Sequence, residues 1–355
     1  MPKKLNPLVQ ALRGLSVLGV IIFHAYPGVF SNGYLGVNVF FVISGFLIYP
    51  RIYAIFQIDE FTFKKSFMNI AIFFSRRAHR LIPAYATMLV CSSVAVVIIG
   101  DRSDWLRTGK LAIFSLAGLA NFGAFKFAGD YFHPNPNPFL HLWTLAVEEQ
   151  IYIGLPVLFL IGTSFRIRIA LMNKFSLLLG TFSFVIFIFR TYVDERLSNL
   201  GLANAEIYHL SYYMSYSHLW EFMLGAIAGM NLHVLRKRAL MKFTKIVFVA
   251  LVILIFGKLQ FGQTLSVILA VLLTTYLLLN LSPKFAVRLK PLIYMGDRSY
   301  SIYLVHLPIF YLFSSIQVAI NYYTNQVFVG LLALAMSLAS GSLLHKFVEE
   351  KYRYK

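Results

Sequence analysis

The chain has 355 residues, 59% of them hydrophobic and 13% charged, with a mean hydropathy of +0.71. A soluble domain carries about 25% charged residues, so a water-soluble globule is excluded, and apolar blocks of roughly 17–22 residues suit a ~30 Å hydrocarbon core. Lys and Arg outnumber Asp and Glu by 32 to 14. Positive-inside bias explains that excess, with no nucleic-acid-binding motif beside it. The single Cys91 excludes an internal disulfide and a Cys-rich metal or redox site.

The first segment, Met1 to Gln10, is short, and the apolar run after it shows no small-residue cleavage site, so it reads as a first span. The expected fold class is all-α: a polytopic transmembrane bundle of ten spans, at about 9–29, 37–56, 81–100, 143–163, 175–191, 212–232, 246–258, 264–281, 299–320 and 326–346. The apolar segment 111–125 is shorter than a span and contains Gly118 and Gly123.

Charge decides how that segment is read. Basic residues cluster at Lys3, Lys4 and Arg13, then at Arg51, Lys64, Lys65, Arg76, Arg77 and Arg80. They recur at Arg166, Arg168 and Lys174, at Arg236, Lys237, Arg238, Lys242 and Lys245, and at Lys284, Arg288, Lys290 and Arg298; Lys346, Lys351, Arg353 and Lys355 close the chain. If 111–125 dips in and returns, or lies in the interface, 25 of the 32 basic residues fall on one side. If it crosses, the alternation fails from there onward. It is therefore expected to be re-entrant or interfacial, with both termini cytoplasmic. The outer loops are then an uncharged Gly-containing stretch at 27–36, a long excursion at 101–142 ending in His133-Pro134-Asn135-Pro136-Asn137-Pro138, and a mildly acidic 192–211 with Asp194, Glu195 and Glu206. With no repeat and no appended soluble domain in view, residues 1–355 read as one membrane domain.

Ionisable groups within spans cost several kcal/mol and mark function. Arg13 and His24 are eleven residues apart, which sets them about 20° apart on one helix face and ~16 Å apart along it. Arg13 then sits at the cytoplasmic end, as an anchor or a functional group, and His24 in the outer half, as a packed histidine or a base. The fourth span opens on His141-Leu142-Trp143-Thr144-Leu145-Ala146-Val147-Glu148-Glu149-Gln150-Ile151-Tyr152. Counting inward puts Glu148 at the depth of His24, and a carboxylate beside an imidazole fixes its tautomer and favours its charged form, as a general base needs. The alternative for Glu148 and Glu149 is an interfacial acid pair. The ninth span opens on Gly296-Asp297-Arg298-Ser299-Tyr300-Ser301-Ile302-Tyr303-Leu304-Val305-His306. It places His306 in the inner half, lower than His24, to bind a ligand from the cytoplasm or to bond across helices. Glu221 is another acid at membrane depth. In Arg76-Arg77-Ala78-His79-Arg80, Arg77 and Arg80 share a helix face and can fork onto phosphate oxygens, of a ligand or of lipid headgroups.

Taken together, these segments resemble the acyltransferase 3 family, membrane proteins that acylate bacterial surface polysaccharides and some small glycosylated molecules. The matching pieces are Arg13 with His24, Phe40-Phe41-Val42-Ile43-Ser44-Gly45-Phe46-Leu47-Ile48, Arg77-Ala78-His79-Arg80, His141 through Tyr152, and Ser299 through His306. Thr144 and Ile151 depart from the commoner Ser and Phe. The resemblance implies ten spans in a bacterial cytoplasmic (inner) membrane, acyl-CoA as donor (commonly acetyl-CoA) with no tightly bound cofactor or metal, and a hydroxyl acceptor presented from outside. It implies His24 as base with Glu148, beside Glu149, as its partner. Arg77 and Arg80, with Arg13, Arg76 and His306, are implied on the donor side. Ser44, Gly45, Tyr152 and Ser299 are implied to shape the site or stabilise an oxyanion.

The expected function is an O-acyltransferase, in the first instance an O-acetyltransferase. His24 would deprotonate the acceptor, with direct transfer or a histidine-linked acyl intermediate both open. A chain ending at Lys355 without the extra domain of many relatives favours a lipid-linked O-antigen or exopolysaccharide unit, in a lipopolysaccharide setting, over peptidoglycan. The rivals are a transporter or flippase for lipid-linked saccharides and a lipid-binding structural protein. The partners are acyl-CoA, a glycan or lipid-linked saccharide and membrane lipids, with no nucleic acid.

Overall fold

The computed structural model describes residues 6–57, 63–100, 102–128, 136–199, 212–231, 243–259, 261–280, 283–319 and 326–353. Lys3, Lys4, the His133-Pro134-Asn135 part of the proline run, Glu206, the basic residues Arg236, Lys237, Arg238 and Lys242, and Lys355 lie outside the described residues, as do the side chains of Asp194, Glu195, Lys284 and Arg353.

Among the described residues all regular structure is helical. The principal helices are α1 (Pro7–Ala25), α2 (Leu35–Phe56), α3 (Phe63–Ile99), α4 (Trp105–Leu116), α5 (Ala120–Gly123), α6 (Leu142–Ser164) and α7 (Ile169–Asn199). After these come α8 (Leu219–Met230), α9 (Thr244–Phe256), α10 (Gln263–Leu279), α11 (Lys290–Asp297), α12 (Ser299–Ala319) and α13 (Gln326–Leu344). Seven of them (α1, α2, α3, α6, α7, α12 and α13) are long and apolar enough to cross a bilayer. The protein is a multi-pass membrane protein.

Local chemistry sets the ends. The Asn6 side chain accepts from the Leu8 amide at 2.8 Å and Pro7 occupies the first turn, so α1 starts where an N-cap and a proline coincide. Two expected spans differ. The segment at 212–232 is broken: a 3-10 turn at Ser215–Ser217 precedes the helix that starts at Leu219, and His218 between them binds the Tyr212 carbonyl through Nε2 (2.8 Å) and Glu221 through Nδ1 (3.0 Å). The third span, expected to begin at 81, belongs to a 37-residue helix from Phe63. Its first part alternates exposed apolar Phe63, Phe67 and Met68 with basic residues, a pattern suited to an interface.

Helix crossings are made by small residues, as expected where lipid supplies no hydrophobic drive between helices. Gly45 on α2 lies against the Phe222 carbonyl of α8, and Gly225 on α8 lies against the Val42 carbonyl of α2. Gly14 on α1 and Gly296 on α11 meet the Leu292 and Gln10 carbonyls in the same reciprocal way. A Cβ at any of the four would collide with backbone.

Segment 111–125 folds as part of a hairpin. α4 is 12 residues, about 18 Å, too short to cross. The chain turns at Gly118, whose φ of +71° suits glycine, and returns through α5 and a π turn at Ala124–Ala128. Arg107 donates to the Phe127 carbonyl, and Phe114 packs edge-on to Phe127 at 5.6 Å, so the two arms lie side by side. The tip is tied to α6: Gln150 and Asn121 exchange amide hydrogen bonds of 2.8 and 3.2 Å.

Candidate active site

A cavity of about 1350 Å³ lies between α1, α2, α3, α6, α12 and the hairpin tip. Arg13, Arg51, Arg76, Arg77 and Arg80 line one end, the basic end; Val37, Phe40, Thr144 and Tyr303 line the other. Along α2, Arg51 and Val37 are fourteen residues apart, so the cavity is about 21 Å deep.

The arginines at the basic end are not equivalent. Arg77 donates from Nε and Nη2 to Glu149 Oε1, at 3.0 and 2.9 Å, and its guanidinium lies 4.0 Å from the centre of the Tyr152 ring. Arg80 faces Glu349 at 3.7 Å. That carboxylate is wholly buried and also accepts from Ser301 Oγ (2.8 Å) and His345 Nδ1 (3.0 Å). Arg13 donates to Gln10 Oε1 at 3.2 Å, and Gln10 in turn holds Asp297. Arg51 and Arg76 are exposed at the mouth. Glu349 and His345 were not among the residues expected at the site: Glu349 lies beyond the last expected span, 326–346, and His345 at its very end.

Halfway up, Ser44 Oγ donates to Glu148 Oε1 at 2.7 Å. The Ser44 hydroxyl is thus committed to a carboxylate rather than free for an oxyanion. Gly45 packs on α8 and does not line the cavity. Ser299 lines it, buried, with its hydroxyl unpartnered.

At the far end stands a group of three imidazoles. The His24 and His306 rings are 5.3 Å apart, and those of His306 and His141 are 5.0 Å apart. His306 Nδ1 lies 2.6 Å from the Tyr303 carbonyl, and His141 Nε2 lies 3.0 Å from the Leu304 carbonyl. Tyr303 separates these rings from the cavity; its hydroxyl donates to the His141 carbonyl (3.0 Å) and pairs with Thr144 Oγ1 (2.7 Å). His24 is half-buried, beside the exposed turn at 27–29, whereas His306 and His141 are wholly buried.

Two depths differ from those expected. The His306 ring is in contact range of His24, 5.3 Å between centres, so the two belong to one layer rather than to separate halves of the bundle. Glu148 lies seven residues, about 10 Å, further along α6 than His141, and so below the histidine layer rather than within it. The inward count erred because α6 starts deep, after the buried 139–141 turn. Glu221, a second buried acid, is held by His218 and by Asn38 Nδ2 at 3.0 Å, outside the cavity wall. Among the described residues no group of three or more His, Cys, Asp or Glu is arranged to hold a metal ion.

The Acyltransferase domain model matches residues 6–345, nearly the whole chain. The chain belongs to this acyltransferase family. "O-acetyltransferase OatA" of Staphylococcus aureus (strain NCTC 8325 / PS 47) is 28% identical over 376 residues, covering 98% of this acyltransferase domain and 57% of the relative. "Putative peptidoglycan O-acetyltransferase YrhL" of Bacillus subtilis (strain 168) is 33% identical over 158 residues, covering 44% of this chain and 24% of the relative. The acyltransferase domain thus spans little more than half the length of the first of these relatives. No solved structure matches it.

Proposed function

We propose that the protein is an O-acyltransferase of a bacterial cytoplasmic membrane, moving an acetyl group from acetyl-CoA to a hydroxyl of a surface or lipid-linked glycan. The observation that carries this reading is the order of the site: a basic mouth, a deep cavity and, behind Tyr303 at its far end, three imidazoles, of which His24 is half-buried beside an exposed turn. Arg13, Arg51 and Arg76, with the outward faces of Arg77 and Arg80, would hold the anionic donor head at the cytoplasmic mouth. The pantetheine arm would lie along α2, bringing the thioester toward Tyr303 and the histidines.

His24 then accepts the proton of the acceptor hydroxyl as that oxygen attacks the thioester carbonyl. Collapse of the tetrahedral adduct breaks the C–S bond, and the proton passes from His24 to the departing thiolate, leaving an ester and free CoA. Glu148, below the histidines and held by Ser44, shapes the path of the arm rather than pairing with His24. The OatA and YrhL names support the acetyl group. The YrhL name adds peptidoglycan to O-antigen and exopolysaccharide as acceptors to assay.

The test is acyl transfer in proteoliposomes with radiolabelled acetyl-CoA and a panel of glycan acceptors. His24→Ala should insert normally and lose transfer by about 10²–10⁴-fold. A transporter for lipid-linked saccharide would move glycan without acyl-CoA and form no ester, and that outcome would overturn the reading.

A further inference from the structure

One hydroxyl of the cavity wall has no task in the mechanism above. Ser299, at the start of α12, is wholly buried and lines the cavity, and its Oγ has no hydrogen-bond partner. A buried polar atom left unpaired is uncommon in native proteins. Its neighbours on α12 are engaged elsewhere: Tyr300 donates to the Leu81 carbonyl, Ser301 to Glu349 and Tyr303 to the His141 carbonyl. The partner that Ser299 lacks is therefore to be sought in what the cavity holds.

Depth says which part of a ligand that is. α6 and α12 run past each other in opposite directions, because His141 meets the Leu304 carbonyl while Thr144, further along α6, pairs with Tyr303. One turn beyond that pair, about 6 Å toward the basic end, stand Glu148 on α6 and Ser299 on α12. They face the cavity at one level. Ser44, which donates to Glu148, is seven residues from Val37 and seven from Arg51 along α2, so this level is midway between the two ends. With donor phosphates at the arginines and the thioester at Tyr303, midway is where the pantetheine arm runs. That arm carries two secondary amides, the nearer of them three bonds from the sulfur, ~4 Å when extended. A trans amide presents its N–H and its C=O on opposite edges. An ionised carboxylate only accepts and has several lone pairs, which Ser44 does not exhaust, whereas a hydroxyl can donate.

We infer that Glu148 and Ser299 clamp one secondary amide of the donor's pantetheine arm: the Glu148 carboxylate accepts its N–H, and the Ser299 hydroxyl donates to its carbonyl. This rests on the reading of acetyl-CoA as donor. An arm held at its amide reaches the far end in one register, which sets the height of the thioester against Tyr303. The clamp also selects. A plain alkyl chain at this level would leave the carboxylate and the hydroxyl unpaired, and sites built to hydrogen-bond a substrate reject analogues that lack the bonding groups.

The experiment varies the donor. In analogues of acetyl-CoA, either arm amide is exchanged for an ester, which keeps the carbonyl and lacks the N–H, or for two methylenes, which lack both. With wild-type protein, the ester at the clamped position should lower kcat/KM for acetyl transfer by about tenfold or more, as for a lost hydrogen bond to a charged group. Ser299→Ala should lose about three- to tenfold in kcat/KM with acetyl-CoA, yet match wild type within about twofold on the methylene analogue of that amide, which has no carbonyl to hold. Two results overturn the clamp in the variant: an unchanged kcat/KM with acetyl-CoA, or the same loss on acetyl-CoA and on both methylene analogues. The ester measurement needs no variant to fold, and equal use of acetyl-CoA and both esters by wild-type protein overturns the clamp by itself. If acetyl-CoA neither binds nor reacts, the donor reading falls and the clamp with it; if acetyl-CoA reacts and the analogues react equally well, the clamp alone falls.

Discussion

Arg77 and Glu149 are joined across the gap between α3 and α6 by two hydrogen bonds to one carboxylate oxygen, at 2.9 and 3.0 Å. The arginine therefore braces the cavity wall as well as facing the mouth. The pair is partly exposed, with the side chains 20% and 38% accessible, so its coupling should be modest, about 0.2–1 kcal/mol. In a double-mutant cycle, Arg77→Ala and Glu149→Ala should be non-additive in thermal stability by that amount. Arg77→Ala should also raise KM for acetyl-CoA, whereas Glu149→Ala should leave KM nearly unchanged. Equal effects on KM would mean that the arginine acts only as a brace.

Arg80 and Glu349 form a different kind of pair, because Glu349 is wholly buried. Removing Arg80 leaves a buried carboxylate with only Ser301 and His345, and breaking a buried pair from one side typically costs about 3–5 kcal/mol. Arg80 is one-third exposed, so the lower end of that range or less applies. Arg80→Ala should therefore lower the melting temperature, and Glu349→Gln added to it should restore most of the loss. If donor KM stays raised in the double variant, Arg80 contacts the donor in addition to stabilising the fold.

Ser44→Ala removes a donor from Glu148. A hydrogen bond to a charged group is worth about 1.5–3 kcal/mol. The expected result is a properly inserted protein with transfer reduced by about tenfold or more. The effect should largely vanish in a Glu148→Gln background. Additive losses would show that Ser44 acts on the substrate directly.

Gly45→Ala and Gly225→Ala each place a Cβ on the facing backbone at the crossing of α2 and α8. Overpacking of this kind costs about 1–3 kcal/mol, and neither helix can yield without shifting the cavity wall. Gly154→Ala on α6, where a Cβ meets nothing within 4 Å, serves as control and should be neutral or stabilising by up to ~1 kcal/mol. Melting in detergent separates the two cases.

The apolar blocks were legible because lipid demands length: α1, α2, α6, α7, α12 and α13 all overlap the spans counted from composition. Arg13 and His24 were legible as one face of one helix, since eleven residues is close to three turns. Relative depth between helices was not legible. Each helix enters the bundle at its own height, and nothing local reports that α6 begins with His141 already buried. Hence Glu148 was placed beside His24, and His306, whose ring is 5.3 Å from it, was placed below. Glu349 was invisible for a similar reason: it belongs to a π turn, His345–Glu349, that follows α13 beyond its apolar run. The commitment of Ser44 to Glu148 joins residues 104 positions apart, a pairing that no local pattern announces.

The hairpin of α4 and α5 enters the wall and leaves on the side it came from. Its tip supplies Ser115, Leu116 and Gly118 to the cavity, and its two arms lie side by side. A loop of this construction can be lengthened, shortened or rebuilt in a descendant protein without reversing the orientation of any helix that follows. The dimensions of the cavity can therefore evolve separately from the helix order that keeps arginines at its mouth and imidazoles beyond its far end.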